Sequence, residues 1–211
     1  GPVYALDLPG HGQSVKNVEN PSVAMLVNTL NEFLDSVGVA NAHFVGHSMG
    51  GLVSGKLALD HSDKVASLCL IGSAGLGSEI NGDYINGFVE ASSRKQLKPN
   101  LVHLFNDSSL VNRSMIDDLM KYKRLDGVQD FIKSLSKDMF PDGQQNLQIG
   151  SDLSKSEKKI LVIWGETDAI ITSSHANSID GATVHIIQGA GHNVQLEQAS
   201  KVNELIIGHV S

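Results

Sequence analysis

His43-Phe44-Val45-Gly46-His47-Ser48-Met49-Gly50-Gly51-Leu52 is the stretch on which the reading of this chain turns. His43 to Val45 is a short apolar run that suits a buried strand. Gly46 to Gly51 reads as a turn, and Leu52 to His61 as a helix. A Gly-x-Ser-x-Gly string alone is weak in a chain with 21 glycines. Between a strand and a helix it gains meaning. A sharp turn there holds Ser48 in a strained conformation, and the flanking glycines let strand and helix approach closely. The serine hydroxyl then sits at a helix N-terminus, where unpaired N–H groups stabilise negative charge.

Working outward, the same alternation repeats. Val3 to Leu6 reads as a buried strand that breaks at Pro9-Gly10-His11-Gly12. Asn20 is expected to cap a helix whose first position is Pro21. Val23, Leu26, Leu30, Phe33, Leu34 and Val37 recur at helical spacing, and Gly38 stops them. Val65 to Ile71, Ile160 to Trp164 and Val184 to Ile187 read as further strands, and Ala199, Val202, Leu205 and Ile206 as a last helix. Strands alternating with helices imply an α/β fold with a mostly parallel sheet and helices on both faces. Residues 78–155 contain no convincing strand and read as a helical cap insertion. Residues 1–77 and 156–211 then form the core.

A serine hydroxyl is a poor nucleophile without a base, and the base needs an orienting acid. Asp168 follows one strand in Trp164-Gly165-Glu166-Thr167-Asp168, and His192 follows the next in Gly189-Ala190-Gly191-His192. In a parallel sheet these strand ends share one edge, so Ser48, Asp168 and His192 are expected to converge as a catalytic triad. His192 should lie within hydrogen-bond reach of Ser48, and Asp168 within reach of His192. Glu79, shortly after the Val65–Ile71 strand, is the rival acid. His11 is expected to shape its loop, His47 to pack against the turn, and Cys69 to be a buried hydrophobe. Trp164 is expected in the core.

Composition narrows the classes. The 211 residues suit about one domain, and 41% apolar with 18% charged supports a packed core. A formal net charge of −7 disfavours nucleic acid and anionic membranes. The densest basic cluster, Lys121, Lys123 and Arg124, is short. The single cysteine gives no internal disulfide, no zinc-type spacing is present, and no apolar run is long enough to span a membrane. A soluble cytoplasmic protein without a metal is the default expectation.

Asp7-Leu8-Pro9-Gly10-His11-Gly12, the GHSMGG turn, the WGETD turn and the GAGH turn together resemble the α/β-hydrolase superfamily across the whole chain. Ile71-Gly72-Ser73-Ala74-Gly75-Leu76-Gly77, with Lys98-Pro99 and Lys121-Tyr122-Lys123-Arg124-Leu125, is similar to the C-terminal hydrolase-like domain of bacterial acetoin dehydrogenase dihydrolipoyl acetyltransferase components. That resemblance implies acetyl transfer from dihydrolipoamide to coenzyme A during acetoin breakdown, alongside other subunits of the complex. It implies no cofactor in this chain, with a lipoyl group on a preceding domain. It also implies that the chain is N-terminally truncated. In the family a strand before a His-Gly loop lies between the positions of Val3–Leu6 and His43–Val45, and that loop supplies the second oxyanion-hole donor. Here only the Met49 backbone N–H is assigned to the oxyanion hole. Instability and aggregation of the isolated chain are the corresponding expectation. Within the superfamily, hydrolysis of an ester or of a carbon–carbon bond is the alternative chemistry, and a non-catalytic scaffold of a multienzyme complex the alternative class.

Overall fold

The computed structural model describes residues 1–211. Four strands, β1 (Ala42–His47), β2 (Val65–Ile71), β3 (Lys159–Gly165) and β4 (Thr183–Ile187), form one parallel sheet in that spatial order. His47 pairs with Ile71, Ile71 with Ile163, and Gly165 with Ile187, so the C-terminal ends of all four lie along one edge.

The central strands are buried on both faces and distribute their side chains with period two. Leu68, Leu70, Val162 and Trp164 join the main core with α1 (Val23–Ser36) and α2 (Met49–Asp60). Cys69, Ile71, Leu161 and Ile163 point the other way, against Val194 of α8 (Val194–Glu197) and Val202 of α9 (Ala199–Val210). The result is helices, sheet and helices in three layers, as parallel sheets require.

Between β2 and β3 the chain is helical: α3 (Gly82–Glu90), α4 (Arg94–Leu101), α5 (Arg113–Lys123), α6 (Val128–Met139) and α7 (Gly150–Ser154). Val128, Phe131, Leu135 and Met139 recur at helical spacing on α6, and the last three extend the main core. Leu97, Leu101, Ile116 and Met120 of α4 and α5 belong to a smaller core of their own.

Two expectations from the N-terminal sequence are corrected. Val3 to Leu6 is not a buried strand: residues 1–7 join no ladder, and Val3 is 95% exposed. An apolar run becomes a strand only where a neighbouring backbone accepts its hydrogen bonds, and this run lies beside none. It is anchored by Tyr4 edge-on to Phe33 and by Asp7, whose carboxylate accepts the Gln13 N–H. The helix start also moves. Asn20 takes a positive φ of 50°, and Ser22 is the cap, its Oγ accepting the Met25 N–H at 3.2 Å. Asp138 of α6 accepts the Val23 N–H at 2.9 Å, so a residue far along the chain completes the cap.

No helix is long and apolar enough to cross a membrane.

Candidate active site

Ser48 lies between the last residue of β1 and the first of α2, with φ 53° and ψ −118°. A left-handed φ at a non-glycine residue stores on the order of 1–3 kcal/mol. The surroundings hold it there. Its N–H donates to Ile71 O at 2.9 Å, and its carbonyl accepts the Ala74 N–H at 3.0 Å. The hydroxyl is not used as a helix cap, so it remains available. Met49 opens α2, and its N–H is one of the first four without an intrahelical partner.

The glycines around Ser48 have unequal roles. A Cβ on Gly46 would lie 2.3 Å from Gly50 O, and one on Gly51 would lie 2.3 Å from Ser73 Oγ. A Cβ on Gly50 would meet nothing within 4 Å. The expected close approach of strand and helix therefore depends on Gly46 and Gly51, and Gly50 is sterically free.

Asp168 follows β3, and its side chain is 0% exposed. Its Oδ1 accepts the N–H groups of Ile170 at 2.8 Å and Ile171 at 2.9 Å. Its Oδ2 accepts from His192 Nδ1 at 2.8 Å. A buried carboxylate with three donors is solvated by the protein instead of water. The loop carrying it is pinned from below, because Trp164 Nε1 donates to Ile171 O at 3.0 Å. Trp164 is in the core, as expected.

His192 follows β4 and is 3% exposed. With Nδ1 donating to Asp168, the lone pair of Nε2 is left for the cavity. Ser48 and His192 line the same cavity of about 170 Å3, together with side chains of α3 and α6 and with Ile170 and Ile171. The structure thus brings Asp168 and His192 into direct contact and sets Ser48 and Met49 on the cavity wall with His192. The expected hydrogen bond between Ser48 and His192 is not made in this geometry. Catalytic hydrogen bonds of unliganded sites are often long and tighten only with substrate.

Glu79 goes elsewhere. Its carboxylate accepts from His175 Nε2 at 2.6 Å, and it makes no bond to His192. His11 shapes its loop through Pro9 O at 3.0 Å, and its ring also packs near Tyr122 and Phe131 of the helical segment. Cys69 is buried, which pushes its thiol up to about 12.

His47 does more than pack. Its Nε2 donates to His192 O at 3.0 Å, and the two rings lie 4.7 Å apart. Burial, reinforced by the neighbouring His192, lowers its pKa to about 4. Glu197 was invisible to motif reading. Its carboxylate accepts the N–H groups of Gly191 at 2.6 Å, Asn106 at 3.2 Å and Asp107 at 2.9 Å. It thereby ties the loop of His192 to the helical segment. The only available signal was an acidic residue shortly after the histidine.

The comparisons with known proteins agree with this architecture. The chain is 44% identical, over 99% of its length, to the dihydrolipoyllysine-residue acetyltransferase component of the acetoin cleaving system of Cupriavidus necator. It is 44% identical over 97% of its length to the component of the same name from Pseudomonas putida. It spans about half of these relatives, 56% and 55% of their lengths. Among solved structures, a meta-cleavage product hydrolase from Pseudomonas fluorescens IP01 superposes with a TM-score of 0.84 at 23% identity, covering 96% of this chain and 77% of that one, a likeness of fold. A model of the alpha/beta hydrolase fold family matches residues 2–199, and with a parallel sheet whose strand ends gather Ser48, Asp168 and His192 at one edge, the chain belongs to that family.

Proposed function

We propose that this chain is a serine-nucleophile acyl-transfer domain of an acetoin-cleaving system, with Ser48, Asp168 and His192 as its triad. The observation that carries the reading is the buried Asp168–His192 pair, 2.8 Å apart, opening onto a cavity whose wall also holds Ser48 at its strained turn. The 44% identity to the two acetoin-system components supports the assignment to that system.

The chemistry runs in two displacements. Ser48 Oγ attacks the carbonyl carbon of an ester or thioester, and His192 Nε2 takes its proton. The bond to the leaving oxygen or sulfur breaks, and the imidazolium returns the proton to that atom. Water, or a thiol such as coenzyme A, then loses a proton to His192 and attacks the acyl–Ser48 ester. Ser48 leaves with the proton. The Met49 N–H faces the oxyanion in both steps. Asp168 holds the imidazole in the tautomer that presents Nε2 and stabilises its charged form. The neutral state of His47 keeps a second positive charge away from that imidazolium. Residues 78–155 act as the cap that walls the cavity on the acyl side.

Labelling with a fluorophosphonate probe tests the reading. Mass spectrometry should locate the adduct on Ser48, and Ser48→Ala should abolish it. A wild-type protein that is folded yet unlabelled overturns the assignment.

A further inference from the structure

Asn81, between β2 and α3, holds the loop of Asp168 by its carbonyls. Asp168 Oδ1 accepts two amides, the Ile170 N–H at 2.8 Å and the Ile171 N–H at 2.9 Å. The carbonyls of those same two peptides are Ala169 O and Ile170 O. Asn81 Nδ2 donates to Ala169 O at 2.9 Å, and the Asn81 backbone N–H donates to Ile170 O at 2.8 Å. In a trans peptide the C=O and the N–H point in opposite directions. Each peptide is therefore held at both ends, by Asn81 at its oxygen and by Asp168 at its nitrogen. A carbonyl that accepts a hydrogen bond also polarises its own peptide, which makes the N–H a stronger donor.

Asn81 stands on a fixed base. Buried Gln145 donates through Nε2 to Glu79 O at 3.0 Å, and its backbone N–H donates to Ser78 O at 2.8 Å. Asn81 Oδ1 accepts the Tyr84 N–H at 2.9 Å and so caps α3, whose Tyr84 and Ile85 line the cavity. Capping needs that oxygen alone. Asn112 caps α5 with the same atom, accepting the Met115 N–H at 3.0 Å, and its side chain makes no bond to another element. The Nδ2 donor of Asn81 is surplus to capping and is directed at Ala169.

We infer that Asn81 is a positioning residue for Asp168: it aims two peptide N–H groups at Oδ1 and thereby keeps Oδ2 on His192 Nδ1. This deepens the proposed triad and rests on that reading for its effect on turnover alone. The state of the His192 ring is measurable without turnover.

Two variants separate positioning from capping. Asn81→Ser and Asn81→Asp both keep a side-chain acceptor for the Tyr84 N–H, and both remove the donor to Ala169 O. Asn112→Ala is the control, since it removes a cap from the same helical segment without touching the Asp168 loop. The first readout is 15N-histidine NMR at alkaline pH, with His192 assigned by its absence in His192→Gln. The wild type should hold His192 as the single Nδ1–H tautomer. Asn81→Ser and Asn81→Asp should populate the second tautomer, because a displaced carboxylate accepts from Nδ1 less firmly. Asn112→Ala should match the wild type. The second readout is hydrolysis of p-nitrophenyl acetate. The two Asn81 variants should lose about tenfold in kcat with KM little changed, less than the hundredfold that a displacement of about 1 Å can cost, because the backbone bond to Ile170 O remains. Wild-type tautomer occupancy in both Asn81 variants, or the same change in Asn112→Ala, overturns the inference. Wild-type kcat in both variants, or a loss confined to KM, also overturns it and leaves Asn81 as the cap of α3. A tautomer change in the Asn81 variants of a protein that turns over no ester overturns the acyl-transfer reading and leaves the inference standing.

Discussion

The imidazole of His47 lies 4.7 Å from that of His192 and hydrogen-bonds the His192 carbonyl at 3.0 Å, so the residue before the nucleophile holds the backbone of the proposed base. Burial first, and His192 second, depress its pKa from 6.5 to about 4. Between those values the unfolded chain takes up a proton at His47 that the folded chain does not. Folding stability from this site is therefore fully present above about pH 6.5 and is lost as pH falls toward about 4. Thermal unfolding should show the midpoint dropping between pH 7 and 5, and dropping less in His47→Gln. An identical pH profile in the two proteins would refute this account of His47.

Asp168→Asn tests the orienting acid. The amide still fills the enclosed space, but its NH2 group cannot accept from both His192 and the two loop amides at once. The wrong imidazole tautomer should lower kcat by roughly 10^4-fold with KM little changed. Glu79→Gln, whose carboxylate bonds His175 and not His192, should leave kcat within about threefold of wild type, a small barrier change on the usual scale of tenfold per 1.4 kcal/mol. The reverse pattern in steady-state kinetics would make Glu79 the acid.

The glycines around Ser48 separate by substitution. Gly46→Ala and Gly51→Ala force a methyl into contacts of 2.3 Å and should cost about 1–3 kcal/mol in urea unfolding. Gly50→Ala enters open space within a helix and should be neutral or stabilise by about 0.5–1 kcal/mol. A destabilised Gly50→Ala would show that the turn is tighter than described.

Glu197 positions the proposed base through the loop that carries it. Glu197→Ala removes the acceptor for three amides, Gly191 among them. Misplacing a reacting group by about 1 Å can cost up to about a hundredfold. We expect kcat to fall by about ten- to a hundredfold, with recovery in Glu197→Gln, whose side-chain oxygen still accepts. Equal loss in both variants would assign Glu197 to the overall charge balance instead of the loop.

The sequence by itself determined the alternation of strands and helices, the strand ends that carry Ser48, Asp168 and His192, and the interior position of Cys69 and Trp164. Each is a local property: an apolar run with a glycine turn, or helical spacing, is legible within a dozen residues. Tertiary structure decided the rest, because it depends on residues far apart in the chain. Val3 to Leu6 has strand composition yet forms none, since a strand exists only beside a partner. Ser22 and Asp138 share the cap of α1 across more than a hundred residues. Asp168 was the expected acid and Glu79 its rival, and packing sends the first to His192 and the second to His175. The apolar cavity has no signature in periodicity, because it is made where α3, α6 and the loop after β3 face one another across space.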